Sequence, residues 1–238
     1  MIPHNKPTLA KEEKKALNEV LDSNWLVQGE KTKEFENNFC DFLGIENGSC
    51  AACSSGTAAL FVALKALGIE GGEVIIPTYV CTSLLNVIYL IGATPVLRDI
   101  SDIDFNIDNI KITQNTKAII APHMFGVPAK IKDFGVPIIE DCATAIGSKI
   151  GDKHVGLFGD IAIFSFYASK MISTGQGGMV FSKNKHLADK ARDYIDFDLG
   201  KNKRDYYPRF NFEITDLQSA LGIEQLKKLS VFLSQRKK

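Results

Sequence analysis

Short, almost purely apolar runs punctuate this sequence: Val74-Ile75-Ile76, Ala118-Ile119-Ile120-Ala121, Val136-Pro137-Ile138-Ile139, Ile161 to Phe166, and Gly178-Met179-Val180-Phe181. A run this short with no polar alternation suits a strand covered on both faces, which is the condition of a parallel sheet between two layers. Thr94-Pro95-Val96-Leu97, after Gly92 and leading to Asp99, reads as one more strand and its exit. Helical spacing fills the intervals. It runs from Glu12 to Leu21, from Lys31 to Leu43 (with Phe35, Phe39 and Phe42 on one stripe) and from Ala58 to Leu67. Lys183 to Asp198 reads as an exposed helix, and Leu199 to Pro208 as a polar loop. Thr215 to Leu233 reads as a long amphipathic helix, followed by Arg236-Lys237-Lys238, a favourable charge at a helix C-terminus. Strands separated by helices predict an α/β domain with a mainly parallel sheet.

Composition narrows the function classes. The chain has 238 residues, with Lys plus Arg equal to Asp plus Glu at 28 each. That balance argues against a basic nucleic-acid footprint. The N-terminus lacks the apolar run of a signal peptide, and no stretch approaches the roughly 18 apolar residues of a membrane span. A cytoplasmic protein without nucleic-acid or membrane partners is expected. Of five cysteines, Cys50 and Cys53 form a lone C-x-x-C with no second pair to complete a zinc site. Reduced cysteines facing a core are expected, together with Cys40, Cys81 and Cys142, and no metal.

Three places can carry chemistry. Ser54-Ser55-Gly56-Thr57-Ala58-Ala59-Leu60 opens a helix with small residues. Such an N-terminus presents unpaired N–H groups at the positive end of the helix dipole and binds phosphate, although Ser and Thr there serve equally well as plain N-caps. Glu140-Asp141 follows an apolar run, at the strand end where open α/β sheets bind ligands. A carboxylate there holds a cationic ring nitrogen or a metal, or simply caps a turn. Lys170 follows Ser165-Phe166-Tyr167-Ala168-Ser169 and precedes Thr174-Gly175-Gln176-Gly177-Gly178. It is either a solvated charge or an amine made nucleophilic by burial, fit for covalent carbonyl capture. A dinucleotide-binding domain would need G-x-G-x-x-G after the first strand, and none lies there.

The order of these features resembles one family. Trp25-Leu26-Val27-Gln28-Gly29, Ser55 to Leu60, Pro77-Thr78-Tyr79, Gly92-Ala93-Thr94-Pro95-Val96 and His123-Met124-Phe125-Gly126 lead on to Glu140-Asp141-Cys142-Ala143. Gly159-Asp160, Ser165-Phe166, Lys170, Asn211 and Asp216 to Gly222 complete the series, which opens with Ile2-Pro3 and Lys6-Pro7-Thr8. Taken together, the chain resembles the DegT/DnrJ/EryC1/StrS aminotransferases. The resemblance implies pyridoxal 5'-phosphate (PLP) as cofactor and a fold-type-I large domain: three layers around a mostly parallel seven-stranded sheet. It divides the chain into N-terminal helices in 1–45, an α/β core in 46–182 and C-terminal helices in 183–238. Lys170 is then the catalytic amine that holds the cofactor, and Asp141 the partner of its ring nitrogen. Ser55, Gly56, Thr57 and Ser165 serve the phosphate, and Tyr79 and Thr144 flank the ring. Asn211 reaches the phosphate in the neighbouring subunit, which implies a homodimer with shared sites. The implied reaction moves an amino group from glutamate to a nucleotide-linked keto-sugar, in surface-polysaccharide (O-antigen) or deoxysugar synthesis. Relatives with histidine in place of Lys170 are dehydratases, so the lysine indicates transamination.

Four departures accompany the resemblance. The family's smaller C-terminal domain is expected to be absent, so a truncated, split or catalytically incompetent subunit that keeps the fold is the second expectation. Thr144 stands where a longer side chain is usual and is expected to donate to the ring hydroxyl. Glu213 replaces a common arginine, and Cys81 stands where a stacking aromatic is usual. Finally, the helix between the strands at Ala118 and Val136 is expected to shrink to one turn at Ile131 to Phe134.

Overall fold

A computed structural model describes residues 5–198 and 207–236. The expectations about Ile2-Pro3, about the polar loop up to residue 206 and about Lys237-Lys238 lie outside the described residues.

Each apolar run forms a strand: β2 (Glu73–Pro77), β4 (Thr116–Pro122), β5 (Ile138–Asp141), β8 (Ile161–Ser165) and β9 (Gly178–Phe181). With β1 (Cys50–Cys53) and β3 (Thr94–Arg98) they make a seven-stranded sheet in the order β1-β9-β8-β5-β4-β2-β3. β9 is antiparallel to both its neighbours, and every other pairing in this sheet is parallel. β6 (Lys149–Ile150) and β7 (Lys153–His154) form a separate hairpin. The helices are α1 (Lys11–Ser23), α2 (Glu30–Leu43), α3 (Gly56–Ala66), α4 (Ser83–Leu90), α5 (Lys185–Ile195) and α6 (Asp216–Arg236).

Successive strand residues point to opposite faces, so the inner strands feed two cores. Val74, Ile76, Ala118, Ile120, Ile139, Ile161, Ile163 and Val180 pack with α3, α4 and α5. On the other face Cys50, Ala52, Ala162, Phe164, Met179 and Phe181 pack with Phe35 and Phe39 of α2 and Ile223 and Leu229 of α6. Phe39 meets Phe164 edge-on at 4.9 Å, and Phe35 meets Phe166 at 5.2 Å. A Cβ on Gly222 would lie 2.7 Å from the Phe35 ring, so only glycine lets α6 come this close to α2. The third residue of the expected stripe, Phe42, is only partly buried.

The outer part of that second face differs. Ile75, Ile119, Ala121 and Ile138 are covered by Ile107, Ile110, Ile131, Phe134 and Val136, which belong to irregular chain. The expected helical turn at Ile131 to Phe134 does not form; the only turn of helix between β4 and β5 is a 3-10 turn at Met124–Gly126. Pro137 disfavours helical backbone in Val136. The extended course lays Ile131, Phe134 and Val136 on the sheet.

Two other expectations change. α5 is not an exposed helix, because Ala188, Ala191 and Ile195 are buried. Cys50 and Cys53, three apart on β1, face opposite cores and cannot act as a pair. All five cysteines are free thiols, and only Cys81 is exposed.

Buried polar groups tie the helices together. Asp216 accepts from the backbone N–H of Gly29 (2.8 Å), Lys31 (3.1 Å) and Thr32 (2.9 Å) and from Thr32 Oγ1 (2.9 Å), capping α2 from the start of α6. Glu13 of α1 accepts from Lys228 and Gln225 of α6 and from the Ala10 N–H. Burial pushes the Glu13 carboxyl up, but Lys228, Ala10 and Gln225 outweigh it and hold its pKa at about 2. At the sheet border, Glu36 accepts from the Ala52 N–H at 2.8 Å, Arg192 donates to the Cys50 carbonyl at 2.5 Å, and Ser54 donates to the Phe212 carbonyl at 2.7 Å. No helix among the described residues is long and apolar enough to cross a membrane.

Candidate active site

The candidate residues gather at the carboxyl ends of the parallel strands. Ser55 caps α3, its hydroxyl accepting from the Ala58 N–H at 3.1 Å. The Ala59 N–H goes to the Ser55 carbonyl. The N–H groups of Gly56 and Thr57, the first of the helix, have no partner inside it and point outward. Gly56 is needed for a close approach: a Cβ there would lie 2.8 Å from Ser165 Cβ and 3.0 Å from its Oγ. Across from it, a Cβ on Gly178 would strike the Ser55 carbonyl oxygen at 2.4 Å. The pairing Ser165 with Gly178 sets this height. Two N–H groups at a helix start, beside the hydroxyls of Ser165 and the exposed Thr57, fit a phosphate.

Asp141 ends β5 and is buried, and Ala143 N–H donates to its Oδ1 at 2.9 Å. That is the one hydrogen bond its carboxylate makes among the described residues. Burial pushes the Asp141 carboxyl up, while the Ala143 N–H and the charge of Lys170 pull it down. A buried carboxylate with an oxygen to spare fits a cationic ring nitrogen. Lys170 closes a turn after β8, its N–H on the Tyr167 carbonyl at 2.8 Å, and is half-buried within electrostatic reach of Asp141. The residues present therefore fit PLP.

The remaining candidates are less uniform. Thr144 Oγ1 donates to the His123 carbonyl at 3.0 Å. That bond turns the hydroxyl toward the main chain of residue 123 and leaves its oxygen free to accept from a ring hydroxyl. Tyr79 is half exposed after β2 and packs in a cluster with Phe105 at 6.0 Å and Phe125 at 6.3 Å. Both phenylalanines hold positive φ, 60° and 53°, a costly conformation that aims their rings at Tyr79. Asn211 is exposed, with its Oδ1 on the Glu213 N–H at 3.1 Å. Burial pushes the Glu213 carboxyl up, as do Asp196 and Asp198.

Sequence reasoning quoted His123 and Glu140 within motifs but assigned them no contact. Both side chains are fully buried and bonded to each other at 2.9 Å. The available signal was two polar groups at the ends of apolar strands, which must find partners once buried. With Cys142 they bring three ligand-type atoms within 4.8 Å of one another. They do not form a metal set. The Glu140 oxygens are taken by backbone N–H groups, both His123 nitrogens are engaged, and burial pushes the Cys142 thiol well up, as do Glu140 and Asp141.

A helix-start phosphate cradle, a strand-end carboxylate and a lysine after the next strand, on this sheet order, define the large domain of a fold-type-I PLP enzyme. The chain matches the DegT/DnrJ/EryC1/StrS aminotransferase family over residues 7–238 and belongs to it. It is 37% identical over 256 residues to GDP-perosamine synthase of Escherichia coli O157:H7, covering 99% of this chain and 68% of that protein. It is 37% identical over 252 residues to the spore coat polysaccharide biosynthesis protein SpsC of Bacillus subtilis (strain 168), covering 96% of this chain and 64% of that one. Among solved structures, the aminotransferase TlmJ from Streptoalloteichus hindustanus superposes with a TM-score of 0.88 at 30% identity, over 97% of this chain and 67% of that one. The chain thus spans about two thirds of the length of these relatives. The sequence-based family, α/β fold, enzyme class and PLP cofactor all stand.

Proposed function

We propose that this chain transfers an amino group from glutamate to a keto-sugar joined to a nucleoside diphosphate, for surface polysaccharide such as O-antigen or for deoxysugars. We read it as one cofactor-binding large domain, cytoplasmic, acting as a homodimer in which exposed Asn211 serves the partner's cofactor phosphate. The observation that carries this reading is the buried carboxylate of Asp141, with one oxygen unpartnered among the described residues, within electrostatic reach of Lys170. The names of the relatives, a GDP-perosamine synthase and a polysaccharide biosynthesis protein, support the substrate class.

When bound, PLP supplies an electron-withdrawing ring that stabilises negative charge on the carbon losing its proton. Lys170 Nζ holds the cofactor and carries the proton as base, then as acid. Asp141 keeps the proton on the ring nitrogen. Ser55 sets the helix start, Gly56 and Thr57 N–H with the Thr57 and Ser165 hydroxyls bind the phosphate, Thr144 accepts from the ring hydroxyl, and Tyr79 covers a ring face.

Cofactor loading tests the reading. The protein incubated with PLP should turn yellow, borohydride should fix the cofactor mass on the peptide carrying Lys170, and Lys170→Ala should abolish both. Glutamate should then convert the spectrum to that of the amine form. A protein that stays colourless after loading would sink the proposal.

A further inference from the structure

Asp141 ends β5 and Thr144 lies in the turn that follows, yet both are bonded to the main chain of one residue. His123 donates its backbone N–H to the Asp141 carbonyl at 3.0 Å, and its own carbonyl accepts from Thr144 Oγ1 at 3.0 Å. The position of residue 123 therefore sets both groups that would meet the cofactor ring edge. What fixes residue 123 is its side chain. The imidazole Nδ1 accepts from the Ala129 N–H at 2.8 Å, which leaves the ring proton on Nε2, donated to Glu140 Oε2 at 2.9 Å.

Glu140 in turn accepts from the N–H groups of Gly156 (2.8 Å), Phe158 (2.7 Å) and Gly159 (2.5 Å), all in the segment that leads into β8. Four donors on one fully buried carboxylate form a closed set, and such a set specifies a single geometry. Burial pushes the Glu140 carboxyl up, but His123 and the backbone N–H groups outweigh it and hold it below its ordinary range. Glu140 neighbours Asp141 along β5, where successive side chains point to opposite faces, so it acts on the ring only through other groups.

Resting on the reading that Asp141 meets the ring nitrogen, we infer that Glu140 and His123 are positioning residues. They lock the Asp141–Thr144 loop to the segment before β8 and so set the protonation behaviour of the bound cofactor. The charge matters as well as the shape. Glutamine at 140 would turn an NH₂ group toward a donor, an N–H of the 156–159 segment or of the imidazole, where now only acceptors lie.

The test is a pH titration of the bound cofactor's absorption band in the loaded protein, beside melting curves of the cofactor-free forms. Glu140→Gln should move the midpoint by about one pH unit or more. His123→Asn, which can still accept from Ala129 but cannot reach Glu140, should do the same. His123→Gln, whose amide reaches further, should stay nearer the wild type than His123→Asn. If Glu140→Gln fails to fold, the two His123 variants decide. Variants that melt at lower temperature yet titrate like the wild type would make the pair merely structural and overturn this inference alone. A wild-type protein that takes up no cofactor would overturn the proposed function and this inference with it.

Discussion

The second face of the sheet is covered in two ways, and the contrast is instructive. Over β1, β9 and β8, two helices press so closely that Gly222 of α6 admits no side chain against Phe35. Over β4, β2 and β5, irregular chain spreads single side chains such as Ile131 and Phe134 on the strands. Helices cover a sheet with dense, repeating contacts, while irregular chain covers it thinly but can bend. The thin cover is the side that carries the positive-φ aromatics Phe105 and Phe125 and the Asn106 side chain, which bonds both Met124 N–H and the Val127 carbonyl. The helix-covered half is closely packed, and the irregular half carries the aromatic cluster around Tyr79.

Removing side chains from each half should expose the difference. Phe35→Ala, fully buried among aromatic rings, should cost about 4 kcal/mol in urea denaturation of the cofactor-free chain. Asp216→Ala strands three backbone donors at the start of α2 and should cost about 2 to 3 kcal/mol. Phe134→Ala on the irregular side, only partly buried, should cost about 1 to 2 kcal/mol. If Phe134→Ala matched Phe35→Ala, the contrast between the two covers would be broken. A further effect appears in acid. Glu13 is held at about 2 when folded, so its bond from α1 to α6 adds stability above its unfolded value near 4.5, which is lost as pH falls toward 2. Melting temperature followed from pH 5 to pH 2 should fall less steeply in Glu13→Gln than in the wild type.

The same contrast explains what the sequence disclosed. Strands such as β4 and β8 announce themselves because both faces are covered and the apolar run is continuous. β1 went unread because Cys50-Ala51-Ala52-Cys53 is small and its cysteines suggest other roles. α4, Ser83-Leu84-Leu85-Asn86-Val87-Ile88-Tyr89-Leu90, has too few polar residues to mark a solvent face. The connection from Val127 to Val136 was expected to keep one turn of the helix usual in the family; its few residues instead run irregularly and still lay Ile131 and Phe134 on the sheet. In the site, local sequence marked the strand end or helix start beside Lys170, Asp141 and Gly56, while the roles proposed for them came from the resemblance to the family. The bond from His123 to Glu140 was not. It depends on how β4 and β5 are aligned, with Ala121 beside Glu140 and Pro122 beside Asp141, and that alignment is written in no single segment.

The border strand β1 has a further consequence. Its outward carbonyl at Cys50 and its outward N–H at Ala52, with the N–H of Ser54 just beyond, are occupied by Arg192, Glu36 and Phe212. At the opposite border, β3 carries Pro95, which has no N–H to offer. Among the described residues, both borders are thereby blunted as templates for another strand.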